Sequence, residues 1–143
     1  MSLLFEFPDD LMLTLQRLDD EELEIECLEA VQDVIIDSVS KELSKHDQTG
    51  ELSNSIKSNG VKKSKKGDGY YVFVSPTGYS KNFYYSGKNH NRKYKVSNGA
   101  KAVWLQYGTS KQSPKPWLET SKKNCEQQVI DIMQEKINEK IGE

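Results

Sequence analysis

The sequence predicts an α+β fold in a single domain: two long amphipathic helices, N- and C-terminal, packed on a small antiparallel sheet with a lysine-tipped hairpin. Three observations lead there. Apolar residues recur at spacings of three and four before residue 44 and again after residue 116. Tyr70-Tyr71-Val72-Phe73-Val74 is a β-branched and aromatic run that directly follows a turn-forming segment. A chain of 143 residues, 35% hydrophobic and 29% charged, can fill one modest core but not two, so the domain takes in residues 1–143. A mean hydropathy of −0.76 and the lack of a long apolar run exclude a membrane span. The start has neither a basic cluster nor a small-residue cleavage site, so no secretory leader is expected. Cys27 and Cys125 are too few for a disulfide scaffold and fit a reducing interior.

The first long helix is expected over 19–43. Asp19, Asp20, Glu21 and Glu22 place negative charge in its first turn, where the helix dipole favours it. Leu28, Val31, Ile35, Val39 and Leu43 make one apolar stripe, widened by Cys27, Ala30 and Val34. Residues 8–18, opening on Pro8, read as a separate short helix. Thr49-Gly50 marks the end of the long helix, and Glu51–Ile56 reads as a last turn or the approach to a strand. Residues 56–63 follow as a strand. Ile56 and Val61 have opposite parity, so alternation holds only if Asn59-Gly60 forms a bulge. Lys65–Gly69 is turn chemistry, and Tyr70–Val74, apolar on both parities, reads as a strand covered on both faces. Two more strands are expected around Phe83–Tyr85 and Tyr94–Val96, joined by 86–92. Ala100, Val103, Trp104 and Tyr107 mark a short helical face that Gly108 ends. After a loop stiffened by Pro114 and Pro116, the last helix spans 117–141. Its buried face is expected to be Leu118, Cys125, Val129, Ile132, Met133, Ile137 and Ile141.

Charge is distributed unevenly. Residues 1–43 carry 13 acidic against 2 basic side chains, a net of −11, and residues 57–101 carry 11 basic against 1 acidic, a net of +10. Such halves either fold onto each other or face neighbouring copies and partners. Chemistry is sparse by comparison. His46 and His90 each lack a second ligand at metal-binding spacing and read as surface residues. The cysteines sit on apolar helix faces and read as small core hydrophobes. No phosphate-binding glycine loop occurs. No catalytic residue, cofactor or metal site is expected, and the chain is not expected to be an enzyme.

Lys62, Lys63, Lys65 and Lys66, with Tyr70 and Tyr71 nearby, have two readings. They form a solvated hairpin tip whose lysines keep an edge from pairing, or a track for a nucleic-acid backbone, which makes a small nucleic-acid-binding module built on residues 57–101 the alternative function. The isoelectric point of 5.8 and the acidic first helix weigh against the second. Tyr79, Tyr84, Tyr85 and Tyr94 suit both a sheet face and an interface, and lean towards a protein that assembles.

Two segments carry a resemblance. Thr49-Gly50-Glu51-Leu52-Ser53-Asn54-Ser55-Ile56 resembles a signature of the phage head–tail joining, or tail-completion, proteins, the gp-ten-like minor neck and tail proteins. Gln106-Tyr107-Gly108-Thr109, followed by Pro116-Trp117-Leu118, is similar to that family's second signature: an acidic residue, a variable position and Gly-Thr, then a Pro-aromatic-Leu that opens the last helix. Gln106 stands where the family often has Glu, so an ion pair there would become a neutral hydrogen bond. Trp117 replaces a Phe and enlarges the anchor. The order of elements also matches over about residues 10–140.

The resemblance implies a non-enzymatic structural protein that joins head connector to tail in a phage or prophage. It would work in the neck or tail of the virion, and in the host bacterial cytoplasm during assembly. Its partners would be itself, as a ring, and the connector and tail proteins, with weak contact to DNA in the lumen. Thr49, Gly50, Leu52, Ser55, Ile56, Gly108, Thr109, Pro116, Trp117 and Leu118 are then fold signatures before they are contacts. Lys62, Lys63, Lys65, Lys66, Ser110 and Lys111 are the candidate partner-contacting residues, on a hairpin tip and a loop.

Overall fold

The structure, a computed structural model, describes residues 21–47, 49–66, 69–86 and 93–142. The helix expected over 8–18, and His90, lie outside them. Among the described residues, four helices and six strands follow in order: α1 (Glu21–Ser44), α2 (Glu51–Asn54), β1 (Ile56–Ser58), β2 (Lys62–Lys63), β3 (Tyr70–Tyr71), β4 (Val74–Pro76), β5 (Tyr79–Ser86), β6 (Lys93–Ser97), α3 (Asn98–Tyr107) and α4 (Trp117–Ile141). This is the expected α+β arrangement, with the long terminal helices packed together and small antiparallel ladders beside them.

α1 and α4 run antiparallel. The Ser38 hydroxyl donates to the Ser121 carbonyl at 2.8 Å, near the start of α4, while Cys27 lies close to Lys136 near its end. Each helix buries a row at intervals of four: Leu23, Cys27, Val31, Ile35, Val39 and Leu43 on α1, and Trp117, Ser121, Cys125, Val129, Met133 and Ile137 on α4. Residues four apart form ridges that interdigitate when helices cross. At about 100° per residue such a row drifts about 40° per step, so the two ends of α1 face different neighbours. This corrects the expected stripe, because Leu28 is only half-buried and Cys27 and Leu23 take its place. On α4, Leu118 and Ile132 only flank the core and Ile141 is exposed. Ser121 is fully buried where the helices touch, its hydroxyl donating back to the Trp117 carbonyl.

The hairpin is interrupted. β1 pairs with β4 through Ile56↔Pro76 and Ser58↔Val74, and β2 pairs with β3 through Lys62↔Tyr71 and Lys63↔Tyr70. Asn59, Gly60 and Val61 oppose only Val72 and Phe73, so the extra residue called for by the parity change is present. Asn59 holds the break from both sides: its amide N–H donates to the Phe73 carbonyl at 3.0 Å and its side-chain oxygen accepts the Phe73 amide at 2.7 Å. The expected strand over 70–74 is therefore two short strands and is not covered on both faces, since Phe73 is 54% exposed. β5 and β6 form a third antiparallel pair with a register shift between Tyr79 and Tyr84.

α3 differs most from expectation. Ser97 caps it, accepting the Ala100 amide at 3.1 Å, and Gly108 ends it as expected. The face turned inward is Ala102, Leu105 and Gln106. Of the apolar face read from the sequence, Ala100 is half-buried while Val103, Trp104 and Tyr107 point out, with Trp104 38% and Tyr107 66% exposed. Trp117 decides this orientation by taking the inner side: its ring N–H donates to the Ala102 carbonyl at 2.9 Å.

Candidate functional site

The two signature segments, about fifty residues apart in sequence, meet at one junction where α2, α3 and the start of α4 come together. Asp47 prepares the first. Its carboxylate accepts the Ser53 amide at 2.9 Å and the Thr49 amide at 3.4 Å, so a loop side chain satisfies free N–H groups of α2. The Thr49 hydroxyl accepts from the Glu51 amide, and Gly50 turns the chain in the left-handed region at φ 79°. Leu52 and Ile56 drop into the core, and the buried Ser55 hydroxyl donates to the Leu52 carbonyl at 2.6 Å.

Partial burial works to raise the Asp47 carboxyl, but hydrogen bonds from the backbones of Ser53, Thr49 and Leu52, with Lys101 nearby, outweigh it and hold the group below its ordinary value. A depressed folded value gives stability that is complete above the unfolded carboxyl's range and is lost as pH falls through the folded value. Asp47→Asn is expected to lower stability by about 1 kcal/mol at neutral pH. The gap to the unsubstituted chain should narrow on acidification, as urea unfolding at both pH values will measure.

The second segment is built around Gln106, which is 5% exposed. Its side-chain oxygen accepts the Leu118 amide at 3.0 Å, and its amide nitrogen donates to both Glu119 carboxylate oxygens, at 3.3 and 3.1 Å. Gln106 thus caps α4 from a neighbouring helix and ties down Glu119, a neutral hydrogen bond where the resembled family often has an acid. Gln106→Glu would set one carboxylate against another and leave Glu119 without its donor. The expected cost is about 1–3 kcal/mol at neutral pH. Adding Glu119→Gln should recover most of it, a coupling that a double-mutant cycle in urea will show.

Pro116 and Trp117 open α4. The Thr109–Ser113 loop is closed by reciprocal bonds between Thr109 and Gln112, with the Thr109 hydroxyl accepting the Lys111 amide at 3.2 Å. Ser110 and Lys111 stand exposed on it. The first segment is linked to α3, at whose end the second segment lies, by Glu51 and Lys101, 3.7 Å apart, and by a relay through Thr77. The Ser55 carbonyl accepts the Thr77 amide and hydroxyl at 2.9 and 2.8 Å, and the Thr77 carbonyl accepts the Asn98 side chain at 2.8 Å. The two segments are thus held on either side of α3, the first through Glu51 and Ser55 and the second through Gln106 and Trp117.

The candidate lysines lie elsewhere. Lys62, Lys63, Lys65 and Lys66 are exposed on the hairpin, by the first turn of α1. Glu21 there accepts from the Tyr70 hydroxyl at 3.2 Å and lies 3.9 Å from the Lys63 ammonium. The charge-split halves touch at this point. Glu22, Glu26, Glu29, Asp33 and Asp37 remain exposed along α1 and make no ion pair among the described residues. Sequence reasoning missed Gln106 as a cap and Asp47 altogether. An Asp shortly before a Thr-Gly turn was the available signal for the latter.

Both thiols are buried core members, and burial pushes each above its ordinary value, which keeps them protonated at neutral pH. A groove of about 490 Å³ between α1 and α4 is lined by Ser38, Glu42, Lys45, Cys125 and Gln128 among others. Glu42 there pairs with Lys45 at 3.0 Å and lies 3.9 Å from His46, which is half-buried and not the surface residue expected. Among the described residues no group of three or more His, Cys, Asp or Glu could hold a metal ion, and no helix is long and apolar enough to cross a membrane. No protein-family model, curated protein or solved structure matches the chain.

Proposed function

We propose that this chain is a structural, non-catalytic joining protein of a tailed phage or prophage, completing the neck or tail by assembling as a ring between head connector and tail. The observation that carries the reading is the junction of the two signature segments. Residues 49–56, chosen for resemblance alone, are tied through Glu51–Lys101 and the Ser55–Thr77–Asn98 relay to α3, the helix whose end carries the second segment. A polar junction of this kind holds two helix starts and a loop in fixed relation, as a protein that works by fitting neighbours requires.

The charge distribution supports assembly. Five exposed carboxylates line α1 without ion pairs among the described residues, and exposed lysines crown the hairpin of the same molecule. Copies arranged head to tail can bring these surfaces together, which a closed ring repeats at every interface. The hairpin lysines also suit DNA passing through a ring, although Glu21 beside them weakens that attraction.

The test is genetic. When the gene is inactivated in the genome that carries it and particle production is induced, electron microscopy should show filled heads and separate tails in place of joined particles. An unchanged yield of joined particles would overturn the reading. So would steep, salt-sensitive binding of the purified chain to free DNA combined with its absence from purified particles.

A further inference from the structure

The interrupted hairpin has two chemically different faces. On one, the Ser58 hydroxyl donates to the Gln32 side chain of α1 at 2.7 Å, Val74 packs on the core, and Tyr70 and Lys63 turn to Glu21. That face lies on α1. In a ladder, alternate residues and their cross-strand partners share a face. Lys57, paired with Ser75, and Lys62, paired with Tyr71, therefore project away from α1, together with Phe73. Lys57 and Lys62 are five positions apart, which strict alternation would put on opposite faces. The extra residue at the Asn59-Gly60 break brings them to the same one.

On this outer face Lys57, Lys62, Phe73 and Ser75 are all exposed. The two lysines are separated by the distance from Ser75 to Tyr71, about 13 Å along a strand. Phe73 falls midway, its ring centroid 5.1 Å from that of Tyr71. The carboxylates near the hairpin, Glu21 and Glu24 beside Gly69, belong to α1 on the opposite side. Residues 56–66 and 69–76 contain no Asp or Glu; Asp68, at the tip, lies outside the described residues. Screening over about 8 Å at physiological ionic strength confines the repulsion from α1 largely to its own side.

An exposed ring between two cations calls for a ligand that brings flat π faces as well as negative charge. The acidic row on α1 of a second copy brings only charge, since every exposed residue of that helix is charged or a serine. A nucleic-acid strand brings both, and its bases reach a protein ring only when they are unpaired. We propose that the outer face of the hairpin binds single-stranded nucleic acid, a base stacking on Phe73 and flanking phosphates meeting Lys57 and Lys62. This site goes beyond the joining role and does not rest on it.

The test titrates the full-length chain into a labelled oligothymidylate of about 12 nucleotides and follows anisotropy at several salt concentrations. The single strand should bind more tightly than the same strand paired with oligoadenylate. Phe73→Ala should weaken binding about tenfold and Phe73→Trp should preserve it. Lys57→Gln/Lys62→Gln should flatten the logarithmic salt slope by about 1.4, two phosphate contacts at about 0.7 each. Circular dichroism of each variant separates lost folding from a lost contact. Absence of binding overturns the proposal, as does a duplex bound as tightly as the single strand with Phe73→Ala without effect. Polyglutamate that competes as well as unlabelled oligothymidylate at equal charge also overturns it, and makes the face a docking surface for acidic protein.

Discussion

Gly108→Ala is expected to destabilise the protein by about 3–5 kcal/mol, the largest effect expected of an added methyl at any described glycine. Gly108 sits at φ 79°, ψ 174°, a region that is essentially glycine's own. A Cβ there would lie 2.9 Å from the Gln112 carbonyl oxygen and from the nitrogen and Cδ of Pro114, and backbone and a proline ring cannot swing aside. The backbone penalty and the overlap therefore add. Gly60 separates them: it has the same φ of 79° with nothing within 4 Å of an added Cβ. Gly60→Ala should cost only about 1 kcal/mol. Chemical denaturation of both variants checks the pair, and equal losses would show that the loop gives way around residue 108.

Trp117→Ala should cost a comparable 3–5 kcal/mol, the usual range for removing a large buried aromatic. Trp117 is 2% exposed, closes the end of the α1–α4 core and holds α3 through the Ala102 carbonyl. Truncation opens a cavity and removes the hydrogen bond that ties the start of α4 to α3. Trp117→Phe, which restores the residue usual in the resembled family, keeps most of the packing and loses the hydrogen bond. Its expected cost is about 1–2 kcal/mol. Urea unfolding measures both. Because Trp117 sets which side of α3 faces inward, the alanine variant should also alter the emission of Trp104, whereas the phenylalanine variant should leave it unchanged.

The long helices were legible because burial of one side over six turns imposes a period that neither turn residues nor loops interrupt. The stripe nonetheless runs through Leu28, with Cys27 only at its edge and Leu23 left out, since hydropathy ranks leucine first while ridge packing selects residues four apart. Gly50, Gly108 and the Asn59-Gly60 bulge were also legible, each a local conformation with a local chemical requirement. Gln106 was read only as a departure from a family pattern. Its capping of α4 joins residues twelve positions apart across a loop, and no local rule contains that pairing.

By itself the sequence determined where the long helices lie, where the chain turns, and the separation of acidic from basic segments. These follow from periodicity, backbone permission and composition, all properties of short stretches. Tertiary structure alone decided that α3 turns its aromatic side outward, that the two signature segments share one junction, and that the hairpin lysines stand beside Glu21. Each of those outcomes is a competition among distant groups for the same space or the same polar partner. Trp117 won the inner side of α3 because it brings both the larger apolar surface and a donor for the Ala102 carbonyl.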